Sequence, residues 1–165
     1  MKMDSRLILA LDETDGAKAL KVAESVSGIV DAIKINWPLV LSEGPGMITR
    51  LSELSEVVCD FKVADIPNTV RLIVENAVSR GASGVIVHAF TGDDSLRAAV
   101  EAAGGADIYA VTEMSHPGGR MFTALHAEEM ARLGVECGVS GFIAPATRPE
   151  RIAAIREVIG DLKIL

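Results

Sequence analysis

Short apolar runs alternate along the chain with longer stretches in which apolar residues recur every three or four positions. Leu7-Ile8-Leu9-Ala10-Leu11 is the first run and ends at Asp12. Thr14 or Asp15 then offers a helix N-cap, helical spacing follows over residues 17–26, and Gly28 stops it. The pattern predicts a second strand over 30–35, a helix over about 45–55 and a third strand over 57–63. Pro67 fits the first turn of a helix that runs to about residue 80 and is closed by Gly81. A fourth strand spans 84–88, and Asp93 or Ser95 can cap the helix after it, to about residue 103. A fifth strand spans 108–112, and the loop Ser115-His116-Pro117-Gly118-Gly119 leads into a helix over about 123–134. After a sixth strand over 141–144, Thr147-x-x-Glu150 reads as a capping box with Pro149 in the first turn. Leu162-Lys163-Ile164-Leu165 begins a seventh strand.

Repeated strand–helix units imply a parallel sheet. No composition shift or Ser/Pro-rich linker divides the chain, so residues 1–165 read as one domain. Two architectures compete: an open doubly wound sheet and a TIM (β/α)8 barrel. A dinucleotide fold would carry a Gly-rich turn after the first strand, where Asp12-Glu13-Thr14-Asp15 stands instead. Alternation places Ile8, Ala10 and Asp12 on one face. The same holds for Ala32 and Lys34, for Val58, Asp60 and Lys62, and for Ile86 and His88. In a barrel these faces converge on the interior, with the polar residues at the C-terminal mouth where such enzymes keep their active sites. The expectation is therefore a barrel truncated after the start of strand seven, because the fold usually takes at least about 200 residues. The isolated chain is expected to be less stable than one extended through strand eight.

Composition narrows the function classes. Hydrophobic residues at 49% exclude disorder, and a net charge of −7 argues against nucleic acid or an anionic membrane as partner. A small phosphorylated substrate stays open, since a local site can be basic on an acidic protein. Cys59 falls on an apolar strand face and Cys137 beside a glycine, so the expectation is reduced thiols in the cytoplasm. Neither a signal peptide nor a run of membrane-spanning length is evident.

The chemistry concentrates in Lys34, Asp60, Lys62 and Asp65. Asp60 and Lys62 share a strand face, while Val57, Cys59, Phe61 and Val63 take the apolar one. Two readings stand: a structural salt-bridge network, or a preorganised electrostatic site. Unit charges 4 Å apart interact by about 4 kcal/mol at an effective dielectric of 20, enough for alternating charges to keep both lysines charged in a dry pocket. Asp65 also reads as a plain N-cap. A lone strand-end His88 is most simply structural, and His88, His116 and His126 lack zinc-ligand spacing. Trp37 reads as packing at the mouth, and Arg148 as a loop anchor or plain surface.

Asp60-x-Lys62-x-x-Asp65-Ile66-Pro67-Asn68-Thr69 resembles the signature of the orotidine 5′-monophosphate decarboxylase family. Thr112-Glu113-Met114-Ser115-His116-Pro117-Gly118 resembles that family's fifth-strand motif. The resemblance implies decarboxylation of orotidine 5′-monophosphate to UMP in pyrimidine biosynthesis, by a homodimer with shared active sites and with no metal, flavin or pyridoxal. It makes Lys62 the proton donor to C6 of the pyrimidine, sets Asp60 opposite the substrate's carboxylate, and has Lys34 bridge the acids and touch the ribose. Asp12 would bind a ribose hydroxyl and Ser115 the pyrimidine ring. Asp65, with Ile66 and Thr69 beside it, would reach into the neighbouring subunit's site. The family's phosphate grip follows strands seven and eight, beyond Leu165, so the isolated chain is expected to lack useful activity. A looser D-x-K-x-x-D is shared with magnesium-dependent sugar-phosphate aldolases and decarboxylases, which remain an alternative, as does a non-catalytic barrel fragment.

Overall fold

In the computed structural model, which describes residues 5–165, seven strands form one parallel sheet in chain order. They are β1 (Ile8–Ala10), β2 (Ala32–Ile35), β3 (Glu56–Val63), β4 (Gly84–His88), β5 (Asp107–Val111), β6 (Gly141–Ile143) and β7 (Lys163–Ile164). The crossovers carry α1 (Gly16–Val26), α2 (Trp37–Glu43), α3 (Gly46–Ser52), α4 (Pro67–Val78), α5 (Asp93–Ala102), α6 (Ala127–Cys137) and α7 (Pro149–Ile159). Each strand pairs only with its sequence neighbours. That is the winding of a TIM barrel; a doubly wound sheet would reverse its strand order at a switch point.

Strand alternation sorts the side chains into two cores. Val57, Cys59, Phe61 and Val63 point outward and pack under the helices, with residues such as Val70 and Val74 of α4. Ala32, Val58, Ile86, Tyr109 and Val111 point inward, with Ile8, Ile143 and Leu165 against them. The largest inward side chain is the fully buried Tyr109, whose hydroxyl donates to Asp107 Oδ2 at 2.8 Å. Its ring fits because Gly84 and Gly141 flank it: a Cβ at either would lie 3.1 or 3.0 Å from the ring.

Local structure departs from the sequence expectation in four places. The helix expected over 45–55 is α3, and an additional helix, α2, precedes it, parted from it where Gly44 turns to φ 81°. Each has seven residues, too few for a helical period to show, and Pro38 opens the first. Gly92, not Asp93 or Ser95, takes the N-cap position of α5. Two 3-10 turns, Pro117–Arg120 and Ala124–His126, delay α6 to Ala127. Thr147 forms no capping box: Arg148 is the N-cap of α7, and the Thr147 hydroxyl donates to the Ser115 carbonyl at 3.3 Å.

That last displacement serves a charge cluster. Glu113, just past β5, is 1% exposed. A carboxylate so buried needs compensation, and two arginines at the start of α7 supply it. Arg148 Nη2 lies 2.9 Å from Glu113 Oε1, and Arg151 Nε lies 2.8 Å from Oε2. Arg151 continues to Glu128 of α6 at 2.9 and 3.0 Å. Hydrogen bonds to Glu128 and then Glu113 raise its basicity. Arg148 also donates to the carbonyls of Met114 at 2.8 Å and Ser115 at 3.0 Å. The loop after β5 is thus held from behind by α6 and α7.

Glu113→Ala should strand both guanidiniums and cost about 3 kcal/mol of stability. For a chain of this size that is a fall in Tm of roughly 6–12 °C. Thermal unfolding followed by circular dichroism measures it, and a fall below about 2 °C would show the cluster contributes little.

Candidate active site

The site begins with a fault in the sheet. Cys59 pairs with Val85 but Val63 pairs with Val87, so β3 carries two more residues than β4 over this span. The surplus forms a bulge containing Asp60, Phe61 and Lys62, and Lys62 sits at φ 45°, in the left-handed region. Such a conformation costs a non-glycine residue about 1–3 kcal/mol and persists only where its surroundings enforce it. Here Trp37 does so from the start of α2. Its ring stacks on Phe61 at 4.4 Å between centroids, and its Nε1 donates to the Phe61 carbonyl at 2.9 Å.

The bulge turns Asp60 and Lys62 to the barrel interior. Lys62 Nζ lies 2.6 Å from Asp60 Oδ1, and Lys34 Nζ, from β2, lies 2.9 Å from Oδ2. Burial pushes the Asp60 carboxyl up, but hydrogen bonds and charge from Lys62 and Lys34 outweigh it and hold the carboxyl below its ordinary 3.8. The result is a fixed anion between two cations, each with protons to offer. His88 ends β4 on the same face, buried. Burial lowers its pKa from 6.5 and the Lys62 charge lowers it further, against a pull from Asp60, so the ring is neutral at pH 7. It lies tilted against Phe90 at 4.8 Å.

Around this array lies a cleft of about 460 Å³ lined by Asp12, Lys34, Asn36, Asp60, Lys62, Ser115 and His116, with Ile86, Val111 and Ile143 as its floor. Five residues singled out from sequence, Asp12, Lys34, Asp60, Lys62 and Ser115, therefore meet in one place. Asp65, Ile66 and Thr69 do not. Asp65 is exposed; its Oδ1 accepts from the Ile66 amide at 2.8 Å and its carbonyl from Ser95 Oγ at 2.8 Å. It is not the cap of α4, a position held by Ile66. Thr69 lines a separate apolar groove with Trp37, Phe61 and Leu72. Among the described residues no group of three or more His, Cys, Asp or Glu side chains is arranged to hold a metal ion.

Asn36, Glu113 and Arg151 are absent from the residues singled out from sequence. Asn36 had a usable signal: it lies two residues after Lys34, on the same face. Glu113 stood in the fifth-strand motif without a role, and its pairing with Arg151, 38 residues away, had no signal.

Comparison with known proteins covers nearly the whole chain. A protein of Methanococcoides burtonii named orotidine 5′-phosphate decarboxylase is 54% identical over 163 residues, which is 98% of this chain and 76% of that one. A crystal structure of orotidine 5′-monophosphate decarboxylase from Methanocaldococcus jannaschii, complexed with the inhibitor BMP, superposes with a TM-score of 0.92 at 41% identity. The match covers 99% of this chain and 77% of that chain. The Pyrococcus horikoshii enzyme structure matches with a TM-score of 0.89 at 44% identity, covering 95% and 76%. The family model for orotidine 5′-phosphate decarboxylase / HUMPS proteins matches residues 5–165. With the strand order, the bulged Asp-x-Lys strand and the sequence match all in accord, the chain belongs to the orotidine 5′-phosphate decarboxylase / HUMPS family.

Proposed function

We propose that this cleft converts orotidine 5′-monophosphate to UMP in pyrimidine biosynthesis, as the work of one barrel domain in the cytoplasm. The observation that carries the reading is the Lys34–Asp60–Lys62 array, fixed on two adjacent strand ends at the barrel mouth. The C6–carboxylate bond breaks and leaves its electron pair on C6, CO2 departs, and an ammonium proton of Lys62 moves to C6. The Lys62 charge is closest to C6 as negative charge develops there, so it stabilises the transition state more than the ground state. Asp60 faces the departing carboxylate and holds Lys62 in place. Lys34 completes the charge balance and touches the ribose, Asp12 accepts from a ribose hydroxyl, and Ser115 meets the pyrimidine. Both cysteines, Cys59 and Cys137, are free and buried, as suits a reducing compartment. No helix among the described residues is long and apolar enough to cross a membrane.

We infer further that the protein works as a homodimer. Asp65 stands outside its own cleft on a surface that also exposes Ile66, Leu72 and Phe90. Covering those apolar residues with a second copy would carry Asp65 and Thr69 to the partner's site and leave each site shared.

Two measurements test these assignments, on the chain extended through an eighth strand. Lys62→Ala should fold yet lose at least about a thousandfold in UMP formation, some 4 kcal/mol in the barrier. Activity within about tenfold of the parent would remove Lys62 from the role. Separately, inactive Asp65→Asn and Lys62→Ala proteins, mixed and allowed to exchange subunits, should regain up to about a quarter of parent activity through hybrid sites. Exchange shown by mass spectrometry with no regain would sink the shared site.

A further inference from the structure

Resting on the decarboxylase reading, we propose that Asn36 is a positioning residue for the ribose: its amide fixes the Asp12 carboxylate so that the carboxylate accepts from a sugar hydroxyl. Asn36 is the N-cap of α2. An asparagine there normally turns its side-chain oxygen back onto the free amides of the first turn. This one makes no such bond. Its backbone, at φ −132° and ψ −177°, is extended and open to any residue, so chain geometry does not require asparagine either.

The side chain instead crosses from the end of β2 toward the end of β1. Its Nδ2 donates to Asp12 Oδ1 at 2.6 Å, and that is Asp12's sole hydrogen bond among the described residues. The other end of the amide, Oδ1, is buried with no donor in reach. A forgone cap bond and an orphaned acceptor both work against stability. The one contact left to explain the residue is the one to Asp12. That carboxylate is exposed and would otherwise rotate freely. With Oδ1 tied to the amide, Oδ2 is the acceptor left for a ligand. Lys34 does not compete for it in this arrangement, because its ammonium is engaged with Asp60 at 2.9 Å. Both Asp12 and Asn36 line the cleft that holds Lys62, within reach of the sugar of a nucleotide whose base meets Lys62.

NMR titration of the ¹⁵N-labelled chain, extended through an eighth strand, with UMP, 2′-deoxy-UMP and 3′-deoxy-UMP reads this directly and tolerates millimolar affinity. In the parent, one of the two deoxynucleotides should bind at least about tenfold more weakly than UMP. In Asn36→Ala, and in Asn36→Asp, which keeps the size but loses the donor, that gap should shrink to about threefold or less. Added to Asp12→Ala, the Asn36→Ala change should then have no further effect on UMP affinity. A purely structural asparagine would weaken all three nucleotides alike and leave the gap intact. An intact gap in both variants, or no gap in the parent, overturns the inference while leaving the decarboxylase reading in place. UMP-induced shifts absent from the parent would overturn that reading and the inference with it.

Discussion

A carboxylate withdrawn from water must be neutralised where it sits, and Asp60 meets that constraint with an ammonium on each oxygen. Most of the local architecture follows from it. Lys34, level with Val58 in the register of β2 on β3, reaches forward along the sheet to Asp60. Lys62 folds back onto Asp60 from two residues away within the bulge, where its backbone takes the left-handed turn. Removing either lysine would leave a buried anion half compensated, and removing Asp60 would set two cations against each other.

The strain of that turn is balanced from outside the barrel. Phe61 lies between the two charged residues but faces outward, against the ring of Trp37. A helix that the hydrophobic pattern did not reveal therefore holds the bulge in shape. The N-cap of that helix is Asn36, so its cap and its first residue face the inner and the outer side of one site.

Much of this was legible in the chain. Period-two alternation assigned both faces of β3 correctly, because Val57, Cys59, Phe61 and Val63 must go under helices and charged residues cannot. The strand–helix repeats imply a parallel sheet; Asp12-Glu13-Thr14-Asp15 in place of a Gly-rich turn and the shared facing of the polar strand ends favour the barrel over the doubly wound sheet. What escaped has physical reasons. Seven-residue helices such as α2 and α3 are too short to show a period. The cap at Arg148 was chosen by tertiary contacts over local propensity. The Glu113–Arg151 pair joins residues far apart in the chain, and neither residue type signals such a partner. Asp65 and Thr69 were recognisable as a motif expected to serve a neighbouring subunit, and they lie outside their own cleft.

The clamp on the loop after β5 also imposes an order of events as the chain leaves the ribosome. Asp12, Lys34, Asp60 and Lys62 emerge early, and the strands that carry them pair between sequence neighbours. Glu113 and the loop through Ser115 come next, but the arginines that hold them belong to α7 and are not made until some 35 residues later. Until then Glu113 has no cation to bury against and stays in water. The charged array can thus take shape while the loop above it is still loose. The loop that brings Ser115 to the cleft acquires its form after the charged array beneath it.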